Sequence, residues 1–162
     1  MDLLHGAGIA AVADVRRFPG SRRHPQYGSD AMASELPKAG IDYLPFLELG
    51  GRRRPRPDTH NTAWRNDAFR GYADYMETGE YAAARERLAD LASRTNTTIL
   101  CAEAMWWQCH RSLISDDFKA AGWDVLHLQP GGRVQAHPYT GAARIVEGRL
   151  DYSLPEVQPG LF

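Results

Sequence analysis

Four short runs, mostly apolar and too brief to be helices, constrain this chain more than any other feature. They cover residues 9–15, 41–46, 97–102 and 123–128. Segments with helical spacing lie around them, at 29–39, 66–76, 79–94 and 109–121. Ser29 is in place to cap the first of these helices, and Gly40 to stop it. Buried strands alternating with helices predict an α/β fold: a three-layer sandwich with a mainly parallel central sheet. Residues 1–10 read as the tail of a helix entering the first strand. A doubly wound sheet normally has a strand before that helix, so the expectation is a start that lacks it. Beyond Gln129 the pattern weakens, and 144–150 reads as a short strand or a helix. We take 1–150 as one domain and 151–162 as an extended tail.

Composition narrows the class further. No stretch approaches the roughly 20 apolar residues of a membrane span, and no secretory signal opens the chain. Two cysteines are too few for a disulfide framework, which points to a reducing cytoplasm. The net charge of −1 conceals a strong bias. Lys38 and Lys119 are the only lysines, and arginines cluster at 16–17, 22–23 and 52–56. Such patches suit phosphate, or they are solvated surface.

The densest chemistry follows the third strand: Cys101-Ala-Glu103, then Trp106-Trp107-Gln-Cys109-His110-Arg111. Strand ends that open onto helix starts are where open α/β folds keep their sites. Glu103 and His110 are candidate acid–base groups and Arg111 a candidate anion ligand. Cys109, at a helix start beside His and Arg, is a candidate thiolate. Cys101 reads as a small buried residue at the junction. Neither cysteine has an arginine six residues on, so a phosphatase-type loop is excluded. Paired zinc knuckles are absent, and no metal or cofactor is expected. Trp106 and Trp107 either stack on a base or sugar or cover the core.

Two further stretches join this list. Asp14 and Arg16 close the first strand on one side of it, Asp14 as a base or an orienting carboxylate. The loop Phe18-Pro-Gly-Ser21-Arg22 then offers backbone N–H groups, a hydroxyl and guanidiniums to an anion. The tail ends Gln158-Pro-Gly-Leu161-Phe162. It looks like the short motif by which bacterial DNA polymerases and repair proteins dock on the sliding clamp.

Taken together, the chain resembles the bacterial and archaeal family called domain of unknown function 488. The resemblance rests on Asp14-Val-Arg16, Phe18-Pro-Gly-Ser21-Arg22, Gly40-Ile-x-Tyr43, Leu49-Gly50-Gly51, Tyr72-x-x-Tyr75-Met76 and Cys101-Ala-Glu103 with Cys109-His110-Arg111. It implies an α/β fold with a site at the strand ends, and it brings no established reaction. Family members usually open with a Thr-Ile-Gly-His-Ser strand that this sequence lacks.

The leading expectation is a DNA-associated hydrolase of a nucleotide or modified-base bond. Arg16, Arg22 and Arg111 hold phosphate, Ser21 assists, Glu103 or Asp14 activates water with His110, and the tryptophans stack. The alternatives are a non-catalytic nucleic-acid or nucleotide-binding module, and a cysteine enzyme using Cys109 on a small substrate.

Overall fold

The computed structural model describes residues 1–20 and 22–155. Ser21 and the candidate clamp residues Gln158, Leu161 and Phe162 lie outside them. The chain runs α1 (Asp2–Gly6), β1 (Ala11–Asp14), α2 (Ser29–Lys38), β2 (Asp42–Pro45), α3 (Asp67–Tyr75), α4 (Gly79–Arg94), β3 (Thr97–Leu100) and α5 (Arg111–Ala120). Two antiparallel hairpins follow, β4 (Leu126–Leu128) with β5 (Val134–Ala136) and β6 (Arg144–Val146) with β7 (Arg149–Asp151).

The central sheet is parallel, in the order β2-β1-β3. Val12 sits opposite Tyr43 on one side and Thr98 on the other. All four β1 residues are buried, which explains why the first three are apolar without alternation, the fourth being Asp14. Its side chains serve two apolar clusters. Val12 packs with Leu36 and Ile41, while Ala13 and Val15 join Tyr72, Leu88, Leu113 and Ile114. Helix and strand around a parallel sheet make this an α/β protein.

The helix ends have identifiable causes. Asn66 caps α3, its side chain accepting from the backbone N–H of Ala68 at 2.8 Å and Phe69 at 3.3 Å. Thr78 caps α4. Gly40 ends α2 in the left-handed region, φ 76°, where a side chain would be strained. Ser29 is not the cap expected of it. It is the first helical residue, after an extended Gly28, and no side chain caps α2. Residues 109 and 110 precede α5 instead of opening it, because Cys109 is extended, φ −142° and ψ 171°.

One expected strand changes partner. In the 123–128 run only Leu126–Leu128 is strand, and it pairs antiparallel with Val134–Ala136 instead of joining the parallel sheet. The cause is local. Gly131 and Gly132 both adopt positive φ, so the chain reverses within a few residues and pairs with itself. In the 144–150 stretch the strand alternative holds, closed by Glu147 and Gly148 at φ 50° and 75°. The folded part continues past residue 150. Asp151 closes that hairpin, and Tyr152 is buried in the main core.

Candidate functional site

The carboxyl ends of β1 and β3 and the start of α5 converge. Cys101 is the first residue past β3, and Cys109 and His110 immediately precede α5. Their Sγ, Sγ and ring-nitrogen atoms all lie within 4.8 Å of one another. Cys109 and His110 are buried and Cys101 is half-buried.

His110 is held on three sides. Its Nε2 donates to the Val15 carbonyl oxygen at 2.9 Å, since a carbonyl can only accept. That leaves Nδ1 as the acceptor of the ring. The ring packs on Tyr72 with centroids 5.0 Å apart. Its Nδ1 side faces Gly51, where a Cβ would come within 2.8 Å of that nitrogen. The glycine is therefore a close-approach requirement. The Tyr72 hydroxyl donates to the Leu49 carbonyl, which fixes the Leu49-Gly50-Gly51 segment against the helices.

The two thiols are electrostatically unequal. Cys101 is held well below the ordinary thiol value, at about 4. The largest cause is hydrogen-bond donation from Cys109, followed by burial, which opposes it, and then by His110 and the Glu103 backbone N–H. Cys109 is pushed up, first by that same bond to Cys101 and then by burial, with Arg111 opposing. Of the two, Cys101 is the more acidic thiol. Cys109 stands at the helix start as expected, with its Sγ directed at the Trp106 carbonyl at 3.9 Å, and the neighbouring Cys101 sulfur opposes the field of the helix end. Arg111 completes the centre. Its Nε donates to Cys109 Sγ at 3.1 Å and its Nη2 to the Glu103 carbonyl at 2.6 Å.

The remaining sequence candidates fall into different environments. Asp14 and Arg16 form a closed buried pair. Asp14 Oδ1 accepts from the Arg16 backbone and Nε, and Oδ2 accepts from Nη2 at 2.6 Å and from the Tyr43 hydroxyl. Burial, and then donation to Asp14, push Tyr43 up to about 12. Arg16 also donates to the Tyr27 carbonyl, so it ties the loop after β1 to the sheet and offers no free fork to a ligand. Arg22 is exposed. The carboxylate of Glu103 is exposed and makes no hydrogen bond or ion pair among the described residues. Trp106 stacks on His127 at 4.5 Å and 4°, whereas Trp107 is half-exposed. Adjacent tryptophans thus divide packing and exposure between them.

Arginines rim the centre. Arg17 donates to the Arg52 carbonyl, and both guanidiniums lie 5.5 Å from the ring of Phe18, which is 62 % exposed. Others in the 52–56 cluster are structural. Arg53 lies over Tyr75 at 3.7 Å, and Arg56 pairs with Glu77 and Asp74.

Two soft sulfurs and an imidazole, with a fourth position open, form a donor set that could also hold Zn²⁺. Sequence spacing missed it because Cys101 and Cys109 are brought together by the loop between them, not by a knuckle. A second polar group also escaped sequence reading: Asp116, His137 and His127 in a hydrogen-bonded row. Its one signal was the pair of histidines flanking the Pro130-Gly131-Gly132 turn.

Fold and site define an α/β domain with a paired-thiol centre at the ends of its parallel strands. The chain belongs to the family described as "Domain of unknown function DUF488", which matches residues 1–117. That span holds Cys101, Cys109, His110 and Arg111. No curated protein and no solved structure gives a significant match. Among the described residues no helix is long and apolar enough to cross a membrane.

Proposed function

We propose that this protein is a thiol-dependent hydrolase acting on an anionic substrate, with Cys101 as its nucleophile. The convergence of Cys101, Cys109 and His110 within 4.8 Å carries this reading. In it the Cys101 thiolate attacks an electrophilic acyl or phosphoryl centre, forming a bond from Sγ to the substrate. The leaving group departs with the proton that Cys109 supplied to the pair. Water then adds to the adduct, breaks the new bond and returns the proton. Arg111 and the Arg17–Arg52 rim hold the substrate's negative charge. Helices on both faces of the sheet, a three-layer frame, would keep the strand ends rigid beneath the substrate. Two free thiols suit a reducing compartment, and we place the protein in the cytoplasm.

The test is turnover of aryl phosphates, aryl esters and thioesters by the wild type, Cys101→Ser and Cys109→Ser. Loss of about a hundredfold or more in Cys101→Ser is expected. Undiminished turnover in that variant would sink the reading.

One observation favours a second reading, DNA-associated hydrolysis of a nucleotide or modified base: the half-exposed Trp107 lines the same groove as Arg111 and Arg133. There Glu103 activates water. Salt-dependent binding of single-stranded DNA tests it, and binding without turnover in both wild type and Glu103→Gln marks a non-catalytic module. Docking on a sliding clamp through Gln158, Leu161 and Phe162 is tested with the Leu161→Ala/Phe162→Ala double variant.

A further inference from the structure

Beside the thiol centre, and sharing Arg111 with it, a groove of about 510 Å³ runs along β3, the edge of the parallel sheet, and under the β4–β5 hairpin. Leu100, Ile114 and Phe118 line its apolar wall, and Arg111, His127 and Arg133 line its polar side. Asp124 is the only carboxylate among the lining residues, so two guanidiniums face one acid.

Behind His127 stands a buried row of acceptors and donors. His127 Nε2 and His137 Nδ1 are 2.8 Å apart, and His137 Nε2 lies 2.8 Å from Asp116 Oδ1. Asp116 is fully buried, and every other contact it makes is a donor. Oδ1 also accepts from the Thr140 backbone N–H at 3.0 Å, and Oδ2 accepts from the Thr140 hydroxyl at 2.6 Å and the Tyr152 hydroxyl at 2.8 Å. Three donors besides His137 converge on this buried carboxylate, which serves all of them as acceptor. His137 must therefore present N–H at Nε2, and its Nδ1 exchanges a single proton with His127 Nε2. His127 Nδ1 has no hydrogen-bond partner among the described residues. Trp106, stacked flat on the ring, fixes its plane. His127 and His137 lie beyond the span that the family matches.

We propose that this groove is a second binding and proton-transfer site, which takes an organic anion with an apolar body and an ionisable hydroxyl, and in which His127 is the base. The hydroxyl proton moves to His127 Nδ1 as the O–H bond breaks. The Nε2 proton of His127 passes to His137 Nδ1. The positive charge comes to rest on His137, against the Asp116 carboxylate, and the new oxyanion faces Arg111 and Arg133. His127 ends neutral, so the half-exposed ring carries no charge. The neutral starting state agrees with burial, His137 and Arg111, which together hold His127 down at about 4, so the pair takes the proton only as the oxyanion forms beside it and offsets the Arg111 charge. His137 and Asp116 are positioning residues. The groove shares Arg111 with the thiol site but makes no use of the Cys101 thiolate.

The probe is 6-hydroxynaphthalene-2-sulfonate, an aromatic body with an anionic head and an ionisable hydroxyl, titrated into the full chain. Binding should weaken about tenfold in Arg133→Gln, the loss of one charged contact. The naphtholate absorption band should appear on the bound probe at a lower pH than in free solution. His127→Gln should abolish that shift. His137→Gln, which can accept the His127 hydrogen bond but cannot take its proton, should raise the pH of onset while affinity for the un-ionised probe, measured below that onset, stays unchanged. The proposal is overturned if the probe does not bind, if Arg133→Gln leaves affinity unchanged, or if the bound hydroxyl ionises at its solution pH. It is equally overturned if His127→Gln keeps the shift. Cys101→Ser is expected to change none of these readouts, which separates failure here from failure of the thiol reading.

Discussion

His110 donates from Nε2 to the backbone carbonyl of Val15 across 2.9 Å, joining residues 95 positions apart in the chain. That bond ties the start of α5 to the residue that follows β1. It also leaves Nδ1 on the side of the ring that meets Gly51. A histidine oriented through one nitrogen presents the other in a fixed direction, as in oriented catalytic and metal-binding imidazoles.

Selective alkylation reports the inequality of the thiols. With Cys101 held at about 4, its reaction with iodoacetamide should be nearly independent of pH from 6 to 8. An ordinary thiol is ionised to well under about one percent at pH 6, and its rate climbs steeply over that range. The low-pKa thiolate is also intrinsically less nucleophilic, so the flat profile and not the absolute rate is the signature. Peptide mapping should find Cys101 modified before Cys109. A Cys101 rate that climbs tenfold per pH unit would contradict the assignment.

Gly51→Ala should disturb the centre without touching its chemistry. The added methyl would stand 2.8 Å from His110 Nδ1 and 3.3 Å from the neighbouring ring carbons. Overpacking of this kind costs about 1–3 kcal/mol. Thermal unfolding should show the loss, and the flat alkylation profile of Cys101 should steepen as the imidazole is pushed aside. Unchanged stability together with an unchanged profile would mean that the ring moves freely.

Asp14→Ala should be more damaging than Arg16→Met. Removing the carboxylate strands a guanidinium that is only 7 % exposed and takes away the acceptor of the Tyr43 hydroxyl. Breaking a buried pair from one side costs roughly 3–5 kcal/mol. Arg16→Met leaves the Asp14 carboxyl its hydrogen bonds from the residue-16 backbone N–H and the Tyr43 hydroxyl. Urea unfolding of the two variants orders them, and the reverse order would show that the pair is not held as described.

Acid should weaken the fold through His127. Its folded pKa of about 4 lies below the unfolded value of about 6.5, with His137 and Arg111 as the charged or titratable neighbours. The unfolded chain then binds the extra proton between those values. Stability from this group is complete above about pH 6.5 and is lost as pH falls towards 4. Discounted for partial exposure, the loss is on the order of 1–2 kcal/mol. His127→Gln should flatten this part of the curve of urea midpoint against pH. An equally steep curve in the variant would place the effect elsewhere.

Much of this protein was legible from residue order alone, because periodicity and turn chemistry are local. The apolar run containing β1, the glycine stop at 40 and the helical spacing of α4 each follow from neighbours within a few positions. So does the concentration of reactive groups at 101–111, since a strand end meeting a helix start is itself a sequence pattern. Tertiary structure alone decided which of those groups act together. Cys101 and Cys109 look alike in sequence, and only their contact, with His110 held by Val15, makes one the more acidic thiol and the other the donor. Asp14 and Arg16 share a strand face by alternation, but the fold closes them on each other with Tyr43 from β2. The Asp116–His137–His127 row depends on the β4–β5 hairpin turning back over α5. Hydrogen bonds and charge coupling act over a few ångströms, and which residues come that close is a property of the folded chain, not of their separation along it.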